Sequence, residues 1–358
     1  MSDSNKLNVT LSPLSLSQWY RAFALLAASF GSLINVVQRP EIHRGKLGGV
    51  AVNDQKHDCR SRFRLLCVIF PLWFIIFSTP TTSDAAEPLR LTIDGKVKRD
   101  PVLLKPDGSE LLFAQLDKPN QLRLMKLDLR DKTIVPLHPN ETRSEFEPAV
   151  SLDGRYLTYV QNRGNLSLAL VIQDLMENKQ SEVPPGGGFS GMHSPAISPD
   201  NSTVLFSYPE SNRQQLFAVT MQGTNRKSIA DSNGINNWPS FSPDGKQVVF
   251  SSTRDGDYDL YVMNADGTNV RNLVTSPRQD IRPRWSPDGR RVAFTSNRDG
   301  NYELYLINID GSGLVRLTNH PEQDDYACWN PDSHSLIYVS ERDGHFDLFH
   351  LPVPQPKP

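Results

Sequence analysis

Short stretches of alternating apolar and polar residues recur along the chain from about residue 88 onward, each closed by a turn rich in Asp, Gly and Pro. In the copy near residue 237, the pattern predicts strands over 238–242, 247–252, 259–264 and 270–275. The Asp-Gly dipeptides between them supply the positive φ that tight hairpins need. Each copy therefore predicts four antiparallel β-strands.

This four-strand unit occurs six times. The turn aspartates that mark the copies lie 46, 47, 44, 44 and 44 residues apart: Asp107, Asp153, Asp200, Asp244, Asp288 and Asp332. Four antiparallel strands in about 44 residues is the size of a propeller blade. One such sheet cannot bury both of its faces, but six sheets stacked around an axis can. The sequence therefore predicts an all-β fold, a six-bladed β-propeller.

The two ends of the repeat region complement each other. The last copy ends after its third strand, near residue 351, and a Pro-rich tail follows at 352–358. The segment Pro-Leu-Arg-Leu-Thr at 88–92 matches Leu-Val-Arg-Leu-Thr at 314–318, the fourth strand of the fifth copy. We predict that this N-terminal strand completes the sixth blade and closes the ring, which removes a sheet edge. The propeller then takes up residues 87–351.

Residues 60–86 have the features of a signal peptide for export. Three arginines between residues 60 and 64 precede a 13-residue apolar stretch, Leu65–Phe77, and a small, polar segment that ends at Ala86. A spanning helix needs about 20 residues, so cleavage is preferred to anchoring in the membrane by an uncleaved Leu65–Phe77. For the leader, 1–59, two interpretations stay open: a translation start placed too far upstream, or a long cytoplasmic tail.

Composition narrows the classes of function. Lys and Arg total 38 against 40 Asp and Glu, a net charge of -2, which argues against a general nucleic-acid binder. Cleavage would leave Cys328 as the sole cysteine, with no intrachain disulfide and no cysteine-based metal site. The mature protein is expected to be periplasmic or secreted, monomeric, and without a membrane span.

Two motifs are most regular in the fourth and fifth copies. Pro-x-Trp/Phe-Ser-Pro-Asp-Gly occupies 239–245 and 283–289, and Ser-x-Arg-Asp-Gly-x-x-Asp/Glu-Leu-Tyr occupies 252–261 and 296–305. These motifs resemble the WD40-like (PD40) repeat of the TolB family, and the resemblance covers residues 88–351. It implies a six-bladed propeller of periplasmic type that acts in protein interaction near the cell envelope.

Residues that recur between copies are predicted to serve the fold. The turn aspartates are expected to accept backbone N–H groups. Three arginines recur five residues before an acid, and ion pairs that brace the hairpins are expected between them: Arg254–Asp259, Arg298–Glu303 and Arg342–Asp347. The segment 255–259 has a faint likeness to a calcium loop but lacks the Gly and bidentate Glu of an EF-hand. No cofactor is expected, and a structural calcium ion is the weaker alternative.

Residues that differ between copies are better functional candidates. The first strand of each blade lines the channel of a propeller, and its entry lies just before the recurring Pro. The candidate binding residues at this mouth are Glu145, His193, Asn236, Trp238, Asp280, Arg282, Asp324 and Tyr326. Their mixture of charge and aromatic rings suits a polar peptide, a sugar or a cation. The alternative is that they only fill and solvate the channel.

Two functions stay open. The first is a non-enzymatic propeller that binds an envelope protein or peptide. The second is an envelope enzyme of the polysaccharide lyase or hydrolase type, with acid and base groups among Glu145, His193, Asp280 and Asp324. Gly-x-Ser-x-Gly, His-Glu-x-x-His and phosphate-loop motifs are missing from the sequence, so no catalytic residue or metal ligand is assigned. Paired carboxylates across the mouth favour the enzyme, and an aromatic mouth favours the binder.

Overall fold

The computed structural model describes residues 87–165, 167–185, 191–210, 213–230 and 232–355. The chain divides into two units, and these residues lie in the second, Ala85–Pro358. The predicted leader and signal peptide lie outside the described residues. Every regular element in the described ranges is a β-strand, and together the strands form six four-stranded antiparallel sheets.

The first strand in the chain is β1, Leu89–Arg90. Blade 1 contains β2 (Lys98–Leu103), β3 (Glu110–Lys118), β4 (Gln121–Asp128) and β5 (Ile134–Pro136). Blade 2 contains β6 (Glu145–Val150), β7 (Tyr156–Asn162), β8 (Leu168–Asp174) and β9 (Lys179–Val183). Blade 3 contains β10 (His193–Ile197), β11 (Thr203–Glu210), β12 (Arg213–Thr220) and β13 (Lys227–Ala230).

Blade 4 contains β14 (Asn236–Phe241), β15 (Gln247–Ser252), β16 (Asp259–Asn264) and β17 (Arg271–Val274). Blade 5 contains β18 (Asp280–Trp285), β19 (Arg291–Ser296), β20 (Glu303–Asn308) and β21 (Val315–Arg316). Blade 6 contains β22 (Asp324–Trp329), β23 (Ser335–Arg342) and β24 (His345–Pro352), with β1 as its fourth strand. The prediction of an all-β, six-bladed propeller is confirmed.

Alternating side chains pack each blade against both of its neighbours. In β15, Val248 and Phe250 join the cluster shared with blade 3, while Val249 between them joins the cluster shared with blade 5. Successive side chains of a strand point to opposite faces of the sheet, so one blade contributes to two cores. A comparable cluster lies at each of the other interfaces among the described blades, including the one between blades 6 and 1.

The turns behave as their sequences predict. Asp244 Oδ1 accepts the Lys246 N–H at 3.1 Å, and the equivalent carboxylate does the same in the other five blades. The prediction that these aspartates hold backbone N–H groups is confirmed.

Strand β1 pairs antiparallel with β24. Thr92 Oγ1 donates to Asp347 at 2.6 Å, just as Thr318 Oγ1 donates to Glu303 at 2.6 Å in blade 5. In both blades an arginine two residues before the threonine binds the same carboxylate. The segment after β1 therefore makes the contacts in blade 6 that the segment after β21 makes in blade 5.

Every first strand contains a β-bulge just before its midpoint. The pairing of β18 with β19 shifts between Ile281 and Arg284, and the other five first strands shift at the equivalent place. Six non-glycine residues at these bulges have φ between 50° and 59°, and we call them the channel ring: Asp100, Glu147, Ser194, Trp238, Arg282 and Tyr326. A left-handed residue costs roughly 1–2 kcal/mol, so each blade bears strain at this position.

Candidate binding site in the central channel

The first strands are the innermost strands, and each contacts the first strands of both neighbouring blades. A bulge bends its strand and re-aims one side chain. Contacts between channel-ring residues of different blades show that these side chains converge on the axis. The recurring bulge therefore brings six different side chains to one place.

Blades 1, 2 and 3 contribute a chain of charged groups. Arg99 Nε donates to Asp100 at 2.7 Å, and Arg99 Nη2 donates to Glu147 at 3.4 Å. Glu147 also lies 3.3 Å from His193 Nδ1 and accepts the Ser194 N–H at 2.5 Å. One buried carboxylate thus holds three blades together at the channel.

The two carboxylates of this chain have opposite pKa shifts. Burial opposes ionisation of Glu147, but His193, Arg99 and the Ser194 N–H outweigh it and lower the pKa to about 2. Burial raises the pKa of Asp100, the charge of Glu147 adds to the increase, and Arg99 opposes it. Glu147 is therefore the permanent anion of the channel.

Blades 4, 5 and 6 contribute aromatic rings around an arginine. The guanidinium carbon of Arg282 lies 4.9 Å from the ring centroid of Trp238 and 4.3 Å from that of Tyr326. Arg282 Nη1 is 3.1 Å from Asp325, and Asp325 and Tyr326 hold the pKa of Arg282 above its ordinary value although burial lowers it. Tyr258 adds a further ring, 5.4 Å from Trp238. Cation–π contacts of this kind position the arginine without saturating its donors.

The structure separates the eight predicted mouth residues into two groups. His193, Trp238, Arg282 and Tyr326 belong to the channel site. The other four are buried, 0–3% exposed, and hydrogen-bonded within the wall of the propeller: Glu145, Asn236, Asp280 and Asp324. With Lys98 and Met192 they occupy the position three residues before the recurring Pro, and we call these six residues the buried ring.

The prediction that the recurring arginines pair with the acids five residues later is wrong. Arg298 pairs with Asp280 at 2.8 Å, and Arg342 pairs with Asp324 at 2.9 Å. The register of blade 5 places Asp280 directly opposite Ser296, two residues before Arg298. The arginine therefore reaches across to the first strand. The acid five residues later lies on the third strand and binds the fourth, as Glu303 does with Arg316 at 3.1 Å.

Sequence reasoning missed Arg99, Asp100 and Arg284, and the eight candidates also leave out Glu147 and Asp325 of the channel. Arg99 and Asp100 lie directly before Pro101, which is the position of the mouth residues in the other copies. The repeat pattern alone could therefore have identified them. Arg284 lies directly after Pro283, and burial lowers the pKa of its guanidinium, with Asp100 opposing the shift. Its position beyond the Pro gave no reason to place it in the channel.

The part of the chain that the structure describes lacks two features, a metal-binding cluster and a membrane-spanning helix. It contains no group of three or more His, Cys, Asp or Glu residues placed to hold a metal ion. It also contains no helix that is long and apolar enough to span a membrane. In the segment that faintly resembles a calcium loop, Asp255 binds the Tyr261 hydroxyl and Asp259 accepts the Ser276 N–H at 3.2 Å.

The fold and the channel define a six-bladed β-propeller built from WD40-like repeats around a polar and aromatic central site. The family model described as PD40, TolB beta propeller domain, matches residues 139–282 and 274–357, more than half of the sequence. The chain therefore belongs to this family.

Solved structures show the same fold at low sequence identity. TolB from Acinetobacter baumannii is 19% identical with a TM-score of 0.58, over 70% of this chain and 65% of that one. A TolB candidate from Agrobacterium tumefaciens is 23% identical with a TM-score of 0.51, over 60% and 76%. Oligogalacturonate lyase from Vibrio parahaemolyticus is 16% identical with a TM-score of 0.52, over 74% and 93%. No curated protein sequence matches this chain.

Proposed function

We propose that this protein is an exported, non-enzymatic propeller of the cell envelope that binds a protein or peptide segment at its central channel. The observation that carries the proposal is Arg282, which lies between the rings of Trp238 and Tyr326. Trp, Tyr and Arg are the residues that most often dominate binding energy at protein interfaces. A site that joins these three types favours a peptide.

The remaining groups of the channel suit a polypeptide backbone. Arg282 Nε is shielded from solvent and has no hydrogen-bond partner among the described residues, so it can donate to a peptide carbonyl. The carboxylates of Glu147 and Asp325 can accept peptide N–H groups. Bulges and ring contacts hold these side chains in place before binding, which reduces the entropy lost on association.

The channel site is tested by replacing Trp238, Arg282 and Tyr326 together with alanine. Immobilised wild-type and variant proteins are incubated with envelope extract, and captured proteins are compared by mass spectrometry. The triple variant should lose the partners that wild type captures. Met176→Ala removes an exposed apolar side chain outside the channel (74% exposed) and should retain them. Equal capture by all three proteins would place binding elsewhere.

Export is proposed from the signal features at 60–86 and from the resemblance to TolB. N-terminal sequencing of the protein recovered from fractionated cells tests it. We expect a soluble envelope protein that begins at Ala86 or Glu87. A cytosolic protein that retains residue 1 would contradict export, and an envelope protein that retains Leu65–Phe77 in the membrane fraction would support the anchored alternative.

One observation favours the second candidate function, a polysaccharide lyase or hydrolase. Asp100 and Glu147 are neighbouring carboxylates with opposite pKa shifts, and such separation is typical of acid/base pairs. Purified protein is assayed against a panel of polysaccharides. Activity that is lost in both Asp100→Asn and Glu147→Gln would replace the binding function with the enzymatic one. Inactivity of wild type towards the whole panel is the result we expect.

A further inference from the structure

Blade 2 departs from the repeat at its member of the buried ring. In blades 5 and 6 the acid at this position binds an arginine of its own blade. In blade 2 the corresponding Glu145 instead lies 2.8 Å from His138 Nδ1 and accepts from Gln161 Nε2 at 2.9 Å. His138 lies in the connection between β5 and β6, so this carboxylate joins a loop to the sheet.

Strand β8 has small side chains opposite the residues beside this contact. Ala169 lies opposite Gln161, and Val171 lies opposite Tyr159. The same register places Glu303 and Tyr305 at these positions in blade 5. In blade 6 it places Asp347 and Phe349 there, and in blade 4 Asp259 and Tyr261. Blade 2 thus replaces an acid and an aromatic ring with alanine and valine.

An open cavity of about 420 Å³ lies beside these residues, within the range of about 300–1,000 Å³ of small-molecule sites. Its buried wall contains Glu145, Tyr159 and Gln161, each at most 3% exposed. Its rim contains His138, Glu141 and Arg143 from the β5–β6 connection. A rigid polar wall and a charged rim are the elements of a small-molecule site.

The charges of this cavity compensate each other. Arg143 binds Glu141 at 2.8 Å and, with backbone N–H groups, lowers the pKa of that carboxylate to about 2. Glu145 raises the pKa of His138 through their hydrogen bond. Glu141 therefore has Arg143 as its counter-ion, and Glu145 is held by hydrogen bonds with His138 and Gln161. An additional charge on a ligand would lack a counter-ion. This arrangement favours an uncharged ligand.

The remaining lining groups are amides and apolar surface. Gln173 and Gln180 line the cavity, and each amide has both donors and an acceptor. The amide of Gln161 is engaged by Glu141, Glu145 and Arg163. The side-chain amide of Gln173 lies beside His138 and helps to raise the pKa of that imidazole. The ring of Tyr159 and the side chain of Leu137 supply apolar surface. Hydroxyl groups on a compact ring satisfy this set, because each hydroxyl both donates and accepts.

We propose that the cavity of blade 2 is a binding site for a neutral saccharide unit. Its hydroxyls bond Gln173, Gln180 and His138, and the C–H face of its ring packs on Tyr159. The site is separate from the channel, and the two can be tested independently. It gives the protein contact with glycans without any catalytic step.

The test is calorimetric titration of the purified protein with glucose, galactose, N-acetylglucosamine and their β-linked disaccharides. Glucosamine and glucuronate serve as cationic and anionic counterparts. We expect at least one neutral sugar to bind saturably and more tightly than its charged counterpart. Gln173→Ala should weaken that binding about tenfold, the loss expected for one hydrogen bond of about 1.4 kcal/mol.

The control is Gln247→Ala, which truncates a half-buried glutamine of β15 outside the cavity and should bind as wild type does. The channel variant with alanine at Trp238, Arg282 and Tyr326 should also keep sugar binding, even if it loses its partner. The proposal is overturned if no neutral sugar binds at millimolar concentration, if only charged sugars bind, or if Gln173→Ala and Gln247→Ala bind equally. Thermal melts of each variant confirm that it is folded.

Discussion

The buried ring and the channel ring lie only two residues apart in each first strand, yet they have opposite roles. Asp280 is fully buried and pairs with Arg298 of its own blade, while Arg282 contacts Trp238 of blade 4 and Asp325 of blade 6. The buried ring makes its contacts inside the propeller wall, either within one blade, as at Asp280, or with the preceding blade, as at Lys98 and Asn236. The channel ring connects different blades around an opening. Polarity near a channel is therefore not enough to identify a ligand site.

The largest expected effect concerns Lys98, the blade 1 member of the buried ring. Its ammonium group is fully buried and lies 3.3 Å from Asp347, which also holds Thr92 after β1. Asp347→Ala should lower the free energy of unfolding by about 3–5 kcal/mol, because Lys98 loses its buried counter-ion and keeps only the partly exposed Asp94. The variant also removes the partner of Arg90 and Thr92. Urea denaturation followed by circular dichroism measures the loss. The exposed Asp257→Ala should change stability by at most about 0.5 kcal/mol, and equal effects of both variants would contradict the role of Lys98.

A smaller loss is expected where one ion pair of the buried ring is broken. Asp280→Ala should cost about 3 kcal/mol, since Arg298 loses its counter-ion. Asp280→Asn should cost about half as much, because an amide oxygen still accepts a hydrogen bond but without charge. Blade 4 uses this solution naturally, with Arg254 donating to Asn236 at 3.4 Å. The same denaturation experiment applies, and a loss as large for Asn as for Ala would show that charge alone matters.

Glu147 of the channel ring should make the free energy of unfolding depend on pH. The folded-state pKa of Glu147 is about 2, below its ordinary value of 4.5. Its contribution is therefore present above pH 4.5 and is lost as the pH falls towards 2. Glu147→Gln should be about 2 kcal/mol less stable than wild type at neutral pH, and the two proteins should converge near pH 2. A constant difference across this range would mean that Glu147 is not held as an anion.

The smallest expected effect tests the strain in the channel ring. Ser194 has a φ of 53°, which glycine adopts without steric cost. Ser194→Gly should raise the free energy of unfolding by about 0.5–1 kcal/mol. Ser251→Gly, in the regular strand β15, should instead lower it by about 0.5–1 kcal/mol. If both variants are destabilised, the bulge is not a strained position.

The predicted strands of blade 4 agree closely with the observed ones. The second and third, 247–252 and 259–264, are identical to β15 and β16, and the first and fourth differ by at most two residues at either end. These elements depend on local signals, namely alternation of apolar side chains and Asp-Gly turns. Partner choice was predicted less well, because Arg298 lies close in sequence to Glu303 but close in space to Asp280.

The candidate site was only partly predicted, because the position of a residue in the repeat does not show where its side chain points. Trp238, Arg282 and Tyr326 were identified because they vary at a fixed distance from the recurring Pro. Asp280 and Asp324 have the same variability but are buried. No residue type distinguishes the two positions. The bulge does, since it gives only the residue before the Pro a left-handed φ and directs that side chain to the axis.

By itself, the sequence determined the number of blades, the boundaries of most strands and the chemistry of the turns, because these follow from a period of two and from residues that favour positive φ. Which polar side chains meet depends instead on how the strands and blades pack. Ion pairs, the channel site and the cavity of blade 2 each join residues from different strands or blades. Their distances depend on sheet register and on the closed stacking of the blades, which no local pattern encodes.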